Sequence, residues 1–163
     1  PKREQVGLAD DLNFLVLALD VLSRYNCFPN KGYDVNITGT IPINAGLSSS
    51  SALTVAWIHF LVTAFGGTFD IKAKGGDDGD DVEFITIQPF SRMPLDKSLL
   101  ARLAWETEVL ELQTSGGKMD HYSISLGQCI YLNTNDNTYQ IFTYSDKDKY
   151  YEYFANDINS IKK

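Results

Sequence analysis

Basic runs are missing from this chain. Its 14 Lys and Arg residues stand against 21 Asp and Glu, a formal net charge of −7. A nucleic-acid partner is therefore excluded, because its phosphates need a basic patch. A polybasic membrane contact is excluded for the same reason. Long apolar runs are missing as well. The longest, Phe14 to Leu19, falls far short of the roughly 20 residues a membrane span needs. Nothing before it resembles a signal peptide beyond Lys2 and Arg3. Cysteine is scarce: Cys27 and Cys129 lie far apart, without metal or redox spacing. They are expected to be reduced and buried or half-buried, as in a cytoplasmic protein. There is no Gly-x-x-x-x-Gly-Lys-Ser/Thr loop and no Gly-x-Ser-x-Gly elbow, which removes a Walker A site and a serine hydrolase.

A hydrophobic share of 44% in 163 residues is enough for the core of one domain. Its organising stretch is Pro-Ile-Asn-Ala-Gly-Leu-Ser-Ser-Ser-Ser-Ala-Leu, Pro42 to Leu53. Gly46 permits a turn there. Ser48, Ser49, Ser50 and Ser51 fall where a helix begins and its first N–H groups lack partners. Hydroxyls, free N–H groups and the positive end of the helix dipole together favour an anion, so the stretch reads as a phosphate cradle. The plainer alternative is an ordinary serine-capped helix, but four serines exceed what a cap requires.

Periodicity gives the surrounding elements. A helix is expected over Gln5–Tyr25, with Leu12, Leu15, Val16, Leu19 and Leu22 as its stripe and Phe14, Leu17 and Val21 as a second face. Tyr33, Val35, Ile37 and Ile41 alternate with polar residues, which predicts a strand with one buried side. A second helix is expected over Ser49–Phe65, burying Leu53, Ala56, Trp57, Phe60, Leu61 and Ala64 and stopped by Gly66 and Gly67. Within residues 68–95, Phe69–Lys74 and Val82–Ile87 read as a hairpin whose acidic, glycine-rich tip is a solvated turn. An EF-hand spacing is absent from that tip. Asp96 is expected to cap a helix reaching Leu112. Its stripe is Leu99, Leu100, Leu103, Ala104 and Leu110, with Glu106 and Glu108 on opposite borders. A short helix follows over Lys118–Leu126, with Asp120 at its start. Strands at Cys129–Leu132 and Tyr139–Tyr144 form another hairpin, and Asp146–Lys163 reads as a last helix. The whole is read as one α+β domain.

Phosphoryl transfer needs a phosphate cradle, a metal and a group that orients or deprotonates the acceptor hydroxyl. The serine turn supplies the first. A serine hydroxyl and a carboxylate can hold Mg²⁺, a hard cation that takes oxygen ligands. Glu108 and Asp120 flank a glycine turn that can bring both into one pocket, with Asp120 as general base.

The Pro42–Leu53 stretch resembles the phosphate-binding motif of the GHMP kinases. Gly116-Gly117-Lys118-Met119-Asp120-His121 resembles the Gly-x-Met-Asp-Gln element of galactokinases within that family. The resemblance covers most of the chain outside residues 66 to 95. It implies an amino-terminal GHMP kinase domain, similar to domain 2 of ribosomal protein S5, spanning residues 1–163 with an acidic hairpin insertion at about 66–95. It implies that Gly46, Leu47, Ser48, Ser49, Ser50 and Ser51 wrap the phosphates of ATP. Ser50 and Glu108 take the magnesium positions, Ser51 stands in place of an alanine, Asp120 takes the catalytic position and Gly117 meets the sugar. The implied reaction transfers phosphate to the anomeric hydroxyl of galactose or a related hexose. Two departures stand out: His121 replaces the usual glutamine, and the family's first and third motifs are expected in a remainder of the kinase chain that partners this one. On that footing the chain alone is expected to be inactive or nearly so. The alternatives are a nucleotide- or sugar-binding pseudokinase of the same fold, or a mevalonate-type kinase, against which the Met119-Asp120 pair argues.

Overall fold

The structure, a computed structural model, describes residues 13–42, 46–71, 83–92, 94–113, 116–135 and 138–142. The expected final helix, the hairpin tip and residues 5–12 of the first expected helix lie outside these. The elements run in order as α1 (Asn13–Ser23), α2 (Ser49–Phe65), β1 (Gly67–Ile71), β2 (Glu83–Ile87) and α3 (Lys97–Trp105). A π-helical turn (Glu106–Glu111), α4 (Met119–Leu126), β3 (Cys129–Asn133) and β4 (Thr138–Phe142) follow. The strands form two separate antiparallel pairs, β1 with β2 and β3 with β4. Helices beside small antiparallel sheets make the chain α+β.

The helices build the core. Ala18, Val21 and Leu22 of α1 pack with Ile58, Leu61 and Val62 of α2 and with Leu99, Leu100, Leu103 and Ala104 of α3. Phe69 of β1 plugs the same cluster, fully buried, and stacks on Tyr25 at 5.4 Å. Polar ties fix the helices against one another. The Trp57 indole N–H donates to the Leu15 carbonyl at 2.9 Å. Lys97 Nζ donates to the Leu126 carbonyl, and Ser125 Oγ donates to the Lys97 carbonyl at 2.6 Å. Those last two bonds lash α4 antiparallel-fashion to the start of α3.

Local chemistry sets several boundaries as expected. Asp96 caps α3, its carboxylate accepting from the Ser98 and Leu99 N–H groups. Gly66 ends α2 at φ +72°, and a Cβ there would collide with the Ile87 carbonyl and with Pro89. Only glycine tolerates both the angle and the approach.

Four expectations fail. Residues 33–41 form no strand, and Tyr33, Val35, Ile37 and Ile41 stay 39–46% exposed. No strand among the described residues pairs with them; only Tyr33 packs inward, edge-on to Phe60 and Phe65. Alternation marks a face, but a strand needs a partner to satisfy its backbone. In α2 the buried face is rotated. Ser51, Thr54, Val55, Ile58, Leu61, Val62, Ala64 and Phe65 are buried, whereas Ala56 is exposed and Leu53, Trp57 and Phe60 are half-buried. The helix is apolar nearly all round, so its sequence gives little guide to the face its neighbours will cover. Leu110 is 51% exposed because the π-helical turn shifts the phase after Trp105, and Thr107 and Val109 turn inward instead. Cys129 is exposed rather than half-buried, although it and buried Cys27 are both free thiols.

Candidate functional site

The serine turn opens α2. Gly46 has φ +70°, the turn the sequence requires, and Ser48 also adopts the left-handed region at φ 52°. Ser48 occupies the cap position, yet its side chain makes no cap hydrogen bond. The plainer alternative, an ordinary helix capped by the Ser48 side chain, is thus not what forms. The first N–H groups of α2 therefore have no side-chain cap from Ser48, and the first amide bond back to the turn is Ala52 N–H to the Ser48 carbonyl. Gly46, Leu47 and Ser50 are exposed, Ser48 and Ser49 half-buried, and Ser51 buried.

Glu108 comes to meet this turn from the π-helical segment. The Ser50 and Ser51 side chains lie near its carboxylate and favour its ionised form. A hydrogen bond joins the carboxylate to His121 of α4, with Nε2 and Oε2 2.8 Å apart. The two border carboxylates serve different surfaces, as residues two apart on a helix do: Glu108 bonds to His121 of α4, while Glu106 accepts from the Tyr25 hydroxyl at 2.9 Å. Burial pushes the Glu108 carboxyl up, but the His121 bond, the Ser50 and Ser51 side chains and the charge attraction of His121 outweigh it. The net result lies below the ordinary glutamate value. His121 is only 2% exposed, and its Nδ1 is buried without a hydrogen-bond partner among the described residues.

Asp120 lies half-buried in the first turn of α4, next to His121 in the chain, and Gly117 is exposed just ahead of that helix. The structure thus gathers Ser50, Ser51, Glu108 and His121 at one place. Asp120 and Gly117 precede His121 in the chain, and no hydrogen bond or ion pair joins either of them to the serine turn among the described residues. Sequence reasoning did not foresee His121 in this cluster. Its spacing from Glu108 across a glycine turn was the available signal, but only the packing of α4 on α2 and α3 turns that spacing into contact.

Among the described residues no three His, Cys, Asp or Glu side chains converge as a self-contained metal site. The oxygen donors that remain, a serine hydroxyl and one carboxylate, would suit a hard divalent cation that keeps most of its water.

A family model described as GHMP kinases N terminal domain matches residues 13–75. That match supports the GHMP kinase family, a family of ATP-using phosphotransferases. It spans α1, the serine turn, α2 and β1, and stops short of Glu108 and Asp120. No curated protein and no solved structure matches. In a GHMP kinase reading, the segment that the match covers includes the anion-favouring end of α2. No helix among the described residues is long and apolar enough to cross a membrane.

Proposed function

We propose that this chain is the phosphate- and metal-binding part of an ATP-dependent sugar kinase of galactokinase type, acting on the anomeric hydroxyl of galactose or a related hexose. The observation that carries the reading is the placing of Glu108 beside Ser50 and Ser51 at the start of α2, where the serines favour its ionised form. A hydroxyl and a depressed-pKa carboxylate side by side at a helix N-terminus are what a magnesium–nucleotide complex needs from a protein.

In this proposal residues 46–51 wrap the phosphates, using the α2 amides and the serine hydroxyls. Ser50 and Glu108 hold Mg²⁺, which when bound neutralises phosphate charge. Asp120 accepts the proton of the sugar hydroxyl, and Gly117 offers its backbone to the sugar. His121 is a positioning residue: its Nε2–H holds Glu108 toward the serines. The domain is then the amino-terminal α+β domain of a GHMP kinase, similar to domain 2 of ribosomal protein S5, with residues 66–95 as an inserted hairpin.

A second reading has one observation in its favour. Glu108 is already bonded to His121 and flanked by two serines, as a binding module without catalysis would keep it. A panel of hexoses and mevalonate assayed with ATP and Mg²⁺, using the chain with whatever flanks it in the whole protein, separates the readings. Phosphorylation of a hexose supports the proposal. Tight ATP binding with no sugar turned over supports the module, and turnover of mevalonate instead supports the other branch.

A further inference from the structure

A cavity of about 260 Å³ opens beside α3, with no residue of the serine turn in its lining. Its walls alternate flat apolar faces with planar charged groups. Tyr25, Trp105 and Tyr122 give rings. Arg102 and Lys118 give two positive charges, and Asp70 and Glu106 two negative ones. The groups are fixed in place. The Arg102 Nη2 donates to both the carbonyl and the carboxylate of Asp70, at 2.8 and 3.0 Å. Its guanidinium lies 5.9 Å from the Tyr25 ring centre. The Lys118 ammonium sits 4.4 Å over the Trp105 ring. Tyr25 donates to Glu106, and burial first, then the Glu106 charge, pushes its hydroxyl up to about 12, so it stays a donor.

One pair in this wall is not closed. Arg102 Nε and Glu106 Oε1 stand 3.8 Å apart, too far for a hydrogen bond, and Nε has no hydrogen-bond partner among the described residues. The charges cancel, so the cavity has no preference for a net anion or cation. Its rings favour a flat apolar face, and its carboxylates and guanidinium favour a rim of groups that both donate and accept. A cyclic polyol has that combination: C–H faces that lie on aromatic rings, and hydroxyls that bond to planar charged side chains.

We propose that this cavity binds one neutral polyhydroxylated ring, a free sugar or a cyclitol, at a site separate from the serine turn. Lys118, at the cap of α4, and Tyr122, on it, both line the cavity, whereas Asp120 between them does not. The proposal stands whether or not the chain is a kinase.

Calorimetric titration of the full chain with galactose, glucose and myo-inositol, with inorganic phosphate as the anionic comparison, tests it. Saturable binding of at least one neutral ring is expected, and which ring binds separates a sugar from a cyclitol. Trp105→Leu and Lys118→Met should each weaken that binding about tenfold or more, while Asp120→Asn leaves it unchanged. The Lys118 variant keeps the test valid if the Trp105 variant fails to fold, because an ammonium on the cavity wall is not part of the core. Absence of saturable binding by all three rings at millimolar concentration overturns the proposal. So does a preference for phosphate, or binding that Asp120→Asn abolishes and the two wall variants leave intact.

Discussion

Glu108 and His121, thirteen residues apart, are joined at 2.8 Å across the gap between a π-helical turn and the start of α4. The imidazole is almost wholly buried, so its N–H has no water to turn to. Removing it takes one donor from a half-buried carboxylate, a loss of about 1–3 kcal/mol for a hydrogen bond to a charged group. His121→Ala is therefore expected to lower the melting temperature clearly. His121→Gln, which keeps an N–H donor, should recover much of that loss and also restore magnesium-dependent nucleotide binding. Equal damage by both variants in both measurements would remove His121 as a positioning residue.

The depressed Glu108 carboxyl sets a direction for pH dependence. Its folded pKa lies below its unfolded value, which is near the ordinary ~4.3 of glutamate. Its contribution to stability is thus full above that value and is lost as pH falls through the lower folded one. Melting temperature measured against pH should fall more steeply on acidification for the native chain than for Glu108→Gln. Parallel curves would show that the carboxylate carries no such linkage.

Catalysis should separate from binding at Asp120. In the whole protein, Asp120→Asn is expected to cut turnover by roughly 10²- to 10⁴-fold, the usual worth of a general base, while ATP still binds. Ser50→Ala should weaken magnesium-dependent ATP binding more than Ser51→Ala. The opposite order would move the metal position one residue along.

The phase change after Trp105 predicts unequal costs for two leucines on one helical run. Leu103 is fully buried and Leu110 is 51% exposed. Leu103→Ala should cost about 2–5 kcal/mol, and Leu110→Ala no more than about 0.5 kcal/mol. Denaturant unfolding checks both, and similar losses would mean the helix continues in α-phase.

Thiol chemistry should be two-phased. Cys129 is exposed, whereas Cys27 is 2% exposed and burial pushes its thiol up to about 11. A native-state thiol titration should find one group reacting at once and the second only on unfolding.

Much of this architecture is written locally. Asp96 caps α3 because its carboxylate reaches amides two and three residues on, and Gly66 stops α2 because its backbone angle suits no other residue. The two hairpins follow from alternation broken by turn residues. Such features need no knowledge of the rest of the chain, and the boundaries of α2 and the order of its neighbours were legible for that reason. The serine turn and Glu108 could likewise be singled out by residue type and spacing.

What remained hidden depended on partners distant in sequence. The Tyr33–Ile41 stretch has the right alternation, yet alternation cannot supply the neighbour that would make it a strand. The face of α2 that is buried was chosen by α1 and α3, since apolar side chains surround the helix. The π-helical turn left Leu110 exposed where a continuous α-helix would have kept it on the stripe. Sequence alone determined both ends of α2 and the start of α3, because hydrogen bonds and backbone angles act over a few residues, but not the change from α- to π-helix after Trp105. Only the packed chain decided that Glu108 would meet Ser50, Ser51 and His121, because that contact requires three elements to lie at one place at once.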